Sequence, residues 1–104
     1  MKELFFVGSS LAELRAFPEE ARQGAGYDLR RVQSGLEPRD WKPMKSVGAG
    51  AREIREHAKD GEYRVFYVVE SATAIYVLHA FQKKTQKTAM GDIELGKQRY
   101  KSVP

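Results

Sequence analysis

Three strand-like runs follow one another with almost nothing between them: residues 51–57, 63–70 and 74–82. The first gap holds Lys59-Asp60-Gly61, a hairpin signal, and the second only Ser71-Ala72-Thr73. Parallel neighbours need a crossover of a dozen or more residues, and neither gap can supply one. The runs therefore form consecutive antiparallel strands, and everything else in the chain must pack on that meander.

The N-terminal half reads as a strand at Lys2–Val7, a turn at Gly8-Ser9 and two helices. Ser10 and Glu13 have capping-box spacing. The hydroxyl would accept the Glu13 N–H, and the carboxylate would reach back to the Ser10 N–H. That helix runs to about Ala16. Pro18 suits the first turn of the second helix, and Glu19 and Glu20 suit its positive end. Ala21, Ala25, Leu29, Val32 and Leu36 form a helical stripe, weakened by about 1 kcal/mol each at Gly24 and Gly26 and stopped at Gly35. The connecting region 37–50 carries Trp41, Met44 and Val47, with a short strand expected around Pro43–Ser46. Residues 89–103 read as a final helix, with Thr88 as cap, Asp92 in the first turn, and Met90, Ile93 and Tyr100 as a modest apolar face. The expected class is α+β in one domain, residues 1–104: an antiparallel sheet of about four to five strands with the helices on one face.

Composition removes several kinds of chemistry. The absence of cysteine excludes disulfides, thiolate metal sites and a cysteine nucleophile. His57 and His79 lie in different strands, and no acidic cluster has ligand spacing, so no metal site is expected. No glycine loop leads into a lysine-bearing helix start, and no cofactor is expected. Leu4-Phe5-Phe6-Val7 is too short for a signal peptide or a membrane span, so the expected location is the cytoplasm. A net charge of +4 and pI near 9.4 favour an anionic partner.

The cations concentrate on the predicted sheet. Arg55 and His57 share a face of their strand, Arg64 begins the next, and His79 and Lys83 are four residues apart on the third. With Lys45 beside them they define a candidate zone for phosphate, which Arg grips with a planar fork and Lys with a point charge. RNA brings its own nucleophile, the 2′-OH, so an enzyme that aligns it and stabilises the phosphorane-like transition state needs no metal. A structural role is open for each residue: Arg64 pairing with Glu53, Glu56 or Glu62, His79 as a half-buried hydrogen-bonding residue, and Lys83, Lys84 and Lys87 as a solvated junction.

The motifs GEYRVFYVV and IYVLHAFQKKTQKT, with a terminal segment ending GKQRYKS, resemble the RelE/HigB superfamily of toxins from type II toxin–antitoxin systems. Within it, they resemble the phage-derived Gp49-like branch of HigB toxins. The resemblance implies a RelE-like fold, with two N-terminal helices and one C-terminal helix flanking an antiparallel sheet. It implies ribosome-dependent cleavage of messenger RNA through 2′-OH attack, leaving a cyclic phosphate. The implied partners are messenger RNA, the ribosome and a helix-turn-helix antitoxin, with a heterotetramer as one possible assembly. By position, Arg64 and Arg55 would stabilise the phosphate, Lys45 or His79 would be the base, and Lys83, Lys84 and Lys87 would bind RNA. Relatives often read Gly-Leu-Trp-Glu-Leu-Arg where this chain has Gly50-Ala51-Arg52-Glu53-Ile54-Arg55, so an aromatic is lost from that strand. Two rivals are a ParE-like inhibitor of DNA gyrase and an inactive phage-derived module that binds RNA or antitoxin.

Overall fold

In the computed structural model, which describes residues 1–104, the meander forms as its short connections require. Strands β3 (Ala51–Ala58), β4 (Gly61–Ser71) and β5 (Ala74–Lys83) pair antiparallel. Ala58 faces Gly61 and Ser71 faces Ala74, so each turn spends only two residues. Strand β2 (Trp41–Pro43) joins antiparallel to β3, with Pro43 opposite Arg52. It lies two residues earlier than the expected Pro43–Ser46, and Pro43 closes it on the sheet edge, where a missing N–H is tolerated.

The sheet is not purely antiparallel. Strand β1 (Glu3–Phe6) runs parallel to β5, giving the order β1-β5-β4-β3-β2. The chain between β1 and β5 holds two helices and three strands, long enough for the crossover that parallel pairing needs.

Helix α1 (Ser10–Arg15) and helix α2 (Glu19–Gln33) cover one face of the sheet. Leu14, Phe17, Ala21, Ala25, Leu29 and Val32 pack there against Ile54, Tyr63, Val65, Tyr67, Ile75 and Val77. The α2 stripe is buried as its period demands, except Leu36, which lies beyond the helix end and is exposed. That end is a Schellman turn: Leu36 N–H donates to the Arg31 carbonyl and Gly35 N–H to the Val32 carbonyl, with Gly35 at φ +85°. The expected capping box does not form. Ser10 is buried and its hydroxyl donates to the Val77 carbonyl at 3.1 Å, tying α1 to β5, while Ser9 Oγ donates to Glu13.

Helix α3 (Met90–Tyr100) packs on the opposite face, not beside α1 and α2. The reason lies in β4, where residues 63–68 are all buried. Phe66 and Val68 point away from α2, and leaving two such side chains wet would forgo roughly 1.5–3 kcal/mol each. Met44, Val47, Leu78 and Phe81 join them, covered by Ile93 and Tyr100. The one buried residue of α3 is Gly96, whose absent side chain lets the helix backbone approach the Phe66 ring. Ala89 occupies the N-cap, and Thr88 instead donates to Glu53 Oε2 at 3.2 Å. No helix is long and apolar enough to cross a membrane.

One irregularity positions the site. Tyr67 pairs with Val77 and Phe66 with His79, so Leu78 is an extra residue in β5. A bulge of this kind reverses side-chain parity. Ile75 and Val77 face α2, but His79, Phe81 and Lys83 face α3.

Candidate functional site

On the α3 face, register places the polar residues of β3, β4 and β5 in rows. Glu53, Phe66 and His79 form one row, Arg55, Arg64 and Phe81 the next, and His57, Glu62 and Lys83 the last, beside the β3–β4 hairpin. The five cations expected to share a face do share it. Carboxylates are interleaved among them, so it is a mixed-charge surface and not a bare cationic one.

Arg64 is the most constrained. Its side chain is 2% exposed, and its NH1 donates to the Tyr63 carbonyl at 2.9 Å and to Glu62 Oε1 at 3.2 Å. The fully buried Glu53 lies 3.6 Å from its Nε and 3.8 Å from Lys42 Nζ. The structural pairing left open for Arg64 is thus present with Glu53 and Glu62. Arg55 makes none of these pairs. It is half-buried, faces Arg64 directly in register, and its Nε is buried without a hydrogen-bond partner. Like charges set opposite each other on neighbouring strands repel, so this pair favours an anion.

His57 sits at the rim with 53% of its side chain exposed. Its Nε2 meets Asp40 Oδ2, and its Nδ1 lies 2.7 Å from Glu62 Oε1. The Asp40 hydrogen bond, with Glu62 adding to it, raises the His57 pKa above the ordinary value. For Glu62, burial pushes upward, but hydrogen bonds from His57 and Arg64 outweigh it and hold the carboxyl below its usual range.

His79 is buried, with Nδ1 at 2.9 Å from Glu13 and Nε2 at 2.8 Å from Asp92. Its ring stacks on Phe81 with centroids 4.8 Å apart. Arg99 completes the network, donating to Glu13 at 2.9 Å and to the Leu78 carbonyl at 3.0 Å. Burial pushes the Glu13 pKa up, but Arg99, His79 and the Ala80 N–H outweigh it and bring it down to about 2. These residues bind α1, β5 and α3 together. Both His79 ring nitrogens are engaged by carboxylates and the ring is buried, which makes it a structural member of this tether.

The lysines lie at the margins. Lys83 Nζ donates to the Gln86 carbonyl, and Lys84 and Lys87 are exposed in the segment between β5 and α3. Lys45 is exposed in the turn after β2, which closes on Ala51 at the opposite end of β3 from the hairpin, so it does not lie beside Arg55 and Arg64, contrary to the expectation. Asp40 and Lys42 are members of the face that the sequence did not point to, whereas Glu62 was among the acids expected to pair with Arg64. The aromatic absent from β3 has a neighbour in β2: the Arg52 guanidinium lies 4.1 Å from the Trp41 ring centroid. Arg52 pairs with Tyr67, so that stack faces α2, away from Arg64.

Around the edge of β3, a polar cavity of about 300 Å³ opens between α2 and the sheet, lined by Arg55, His57 and Asp40 together with Asp28, Arg39 and Glu56. Asp28 is buried and takes hydrogen bonds from Arg39 N, Nε and NH2 at 2.9, 3.0 and 3.1 Å. Burial, then the hydrogen bond and charge of Asp28, raise the Glu56 pKa to about 9, so at neutral pH Glu56 carries the proton between the two acids. Gly24 is what admits it: a Cβ there would sit 2.4 Å from Glu56 Oε1.

Fold and face together define a small α+β domain with facing arginines and interleaved acids at one end of its sheet. The family model described as phage-derived protein Gp49-like (DUF891) matches residues 12–101, most of the chain, and the chain belongs to that family. No curated protein matches it.

Proposed function

We propose that this protein is a toxin of the RelE/HigB type, a ribosome-dependent endoribonuclease that cuts messenger RNA and is held in check by a cognate helix-turn-helix antitoxin. Membership of the Gp49-like family supports a toxin-related role. The observation that carries the chemistry is the facing pair Arg55 and Arg64, on one face with His57 and beside the lysines of the 83–87 segment. In this reading a phosphodiester lies against the two guanidiniums, which stabilise charge as the RNA 2′-OH attacks in line. The leaving 5′-oxygen departs with a proton, and a 2′,3′-cyclic phosphate remains. Lys83, Lys84 and Lys87 hold the flanking backbone. Proton transfer falls to His57: both histidines have their ring nitrogens on carboxylates, but His57 is exposed at the rim beside the arginine pair, whereas His79 is buried between Glu13 and Asp92.

The test is induction of the chain without its antitoxin, with mapping of message 5′ ends. Arg64→Ala would strand the buried Glu53 and risk unfolding, by about 3–5 kcal/mol. Arg55→Ala and Arg64→Lys are cleaner. Each is expected to lower cleavage roughly 10²–10³-fold in a folded protein, as loss of one transition-state donor does elsewhere. Full toxicity from both folded variants would sink the reading. Intact messages with DNA damage would point instead to gyrase.

A further inference from the structure

The anion position between His57 and Arg64 is already filled, and by the protein itself. Glu62 Oε1 accepts from two donors on two strands, His57 Nδ1 at 2.7 Å and Arg64 NH1 at 3.2 Å. We propose that the Glu62 carboxylate is an internal stand-in for an RNA phosphate, which must displace it to reach Arg64. This rests on the RNA reading above.

Three observations support the exchange. First, the two partners differ in freedom. Arg64 is 2% exposed, with its NH1 on the Tyr63 carbonyl and its Nε 3.6 Å from the buried Glu53, whereas Glu62 is 43% exposed, one residue into β4. When the pair opens, the acid moves and the guanidinium stays aimed. Second, the acids at the site leave Arg55 unpaired. It faces Arg64 across the strands with its Nε unpartnered, while Glu53 and Glu62 both pair with Arg64. A phosphodiester offers two accepting non-bridging oxygens and could meet both guanidiniums where Glu62 meets one. Third, the hairpin places Glu62 at the end of the sheet nearest Lys83, its register partner on β5, so a phosphate seated there continues onto the lysines. The device also has a use. Isolated phosphates must compete with a tethered carboxylate, while a strand that also engages the lysines does so with several contacts together.

The experiment compares wild type, Glu62→Gln and Glu70→Gln. Glu70 is an exposed acid at the other end of β4 and controls for the loss of one negative charge. The probe is a single-stranded oligonucleotide with every 2′-hydroxyl methylated, so that it binds without being cut. Affinity is measured at fixed salt, and the His57 ring resonances are followed by NMR. The expected result is roughly tenfold tighter binding for Glu62→Gln, little change for Glu70→Gln, and His57 shifts in wild type that track saturation. Equal affinity for Glu62→Gln and wild type overturns the proposal, as does equal tightening by both variants or binding that leaves His57 unmoved. A protein that cuts no message yet tightens only with Glu62→Gln supports the stand-in and sinks the enzymatic reading alone. One that cuts message but does not tighten overturns the stand-in alone.

Discussion

Gly96→Ala should destabilise the protein, although alanine is the better helix former. The substitution places a Cβ 2.8 Å from Phe66 Cδ2, 3.2 Å from Cε2 and 3.4 Å from Val47 Cγ1. The Phe66 ring is fully buried at the centre of the sheet and has no space to retreat into. Helix α3 must therefore back away by several tenths of an ångström, opening its contacts with Val47, Phe66 and Leu78. Overpacking of this kind costs about 1–3 kcal/mol, and the gain in helix propensity returns roughly 1 kcal/mol. The net expectation is a loss of about 1 kcal/mol. Gly26→Ala is the control: that position meets nothing within 4 Å, so only the propensity term acts, and stability rises by about 1 kcal/mol. For a domain of this size each kcal/mol shifts the melting midpoint by about 4–8 °C, so the two variants should move in opposite directions in thermal and urea unfolding. A double-mutant cycle gives a second check. Phe66→Leu should cost less in the Gly96→Ala background than alone, because it relieves the clash. If Gly96→Ala raises the midpoint as Gly26→Ala does, the close approach of α3 to Phe66 is wrong.

Two further predictions concern pH. The folded pKa of Glu56, about 9, lies above its ordinary 4.5. Its contribution is therefore fully present below 4.5 and is lost as pH rises toward 9, at up to about 1.4 kcal/mol per pH unit. Urea unfolding across that range should show the decline in wild type and a flatter profile in Glu56→Gln. Glu13 behaves in the opposite sense. Its folded pKa of about 2 lies below the ordinary 4.5, so its contribution is present above 4.5 and is lost as pH falls through 2. Glu13→Gln should lose up to about 3 kcal/mol at neutral pH and show less acid sensitivity, and an unchanged acid midpoint would refute the Glu13–His79–Arg99 tether.

Much of the fold was legible because it follows from local rules. Two-residue turns allow only reversal, the apolar spacing of α2 fits only a helix, and Gly35 takes the positive φ that ends one. The parallel pairing of β1 was not legible, since nothing in Glu3–Phe6 states which edge it joins. The spurious capping box shows the same limit. Ser10 has the right spacing from Glu13, but a buried hydroxyl beside the Val77 carbonyl and a carboxylate within reach of Arg99 and His79 found better partners. His79 looked available for catalysis because its neighbours in sequence are silent about Glu13 and Asp92, which arrive from two different helices.

By itself the sequence determined the three-strand meander, and with it the adjacency of Arg55, His57 and Arg64. Short turns fix pairing, and pairing fixes neighbours on β3 and β4. The tertiary structure alone decided which side of the sheet β5 contributes to. Strict alternation would have put His79, Phe81 and Lys83 on the α2 face with Ile75 and Val77. The extra residue at Leu78 turns them over, because that hydrophobic side chain fills the core under α3 while Val77 keeps its place under α2. A bulge is chosen by what two opposite faces must bury, and no single strand carries that information.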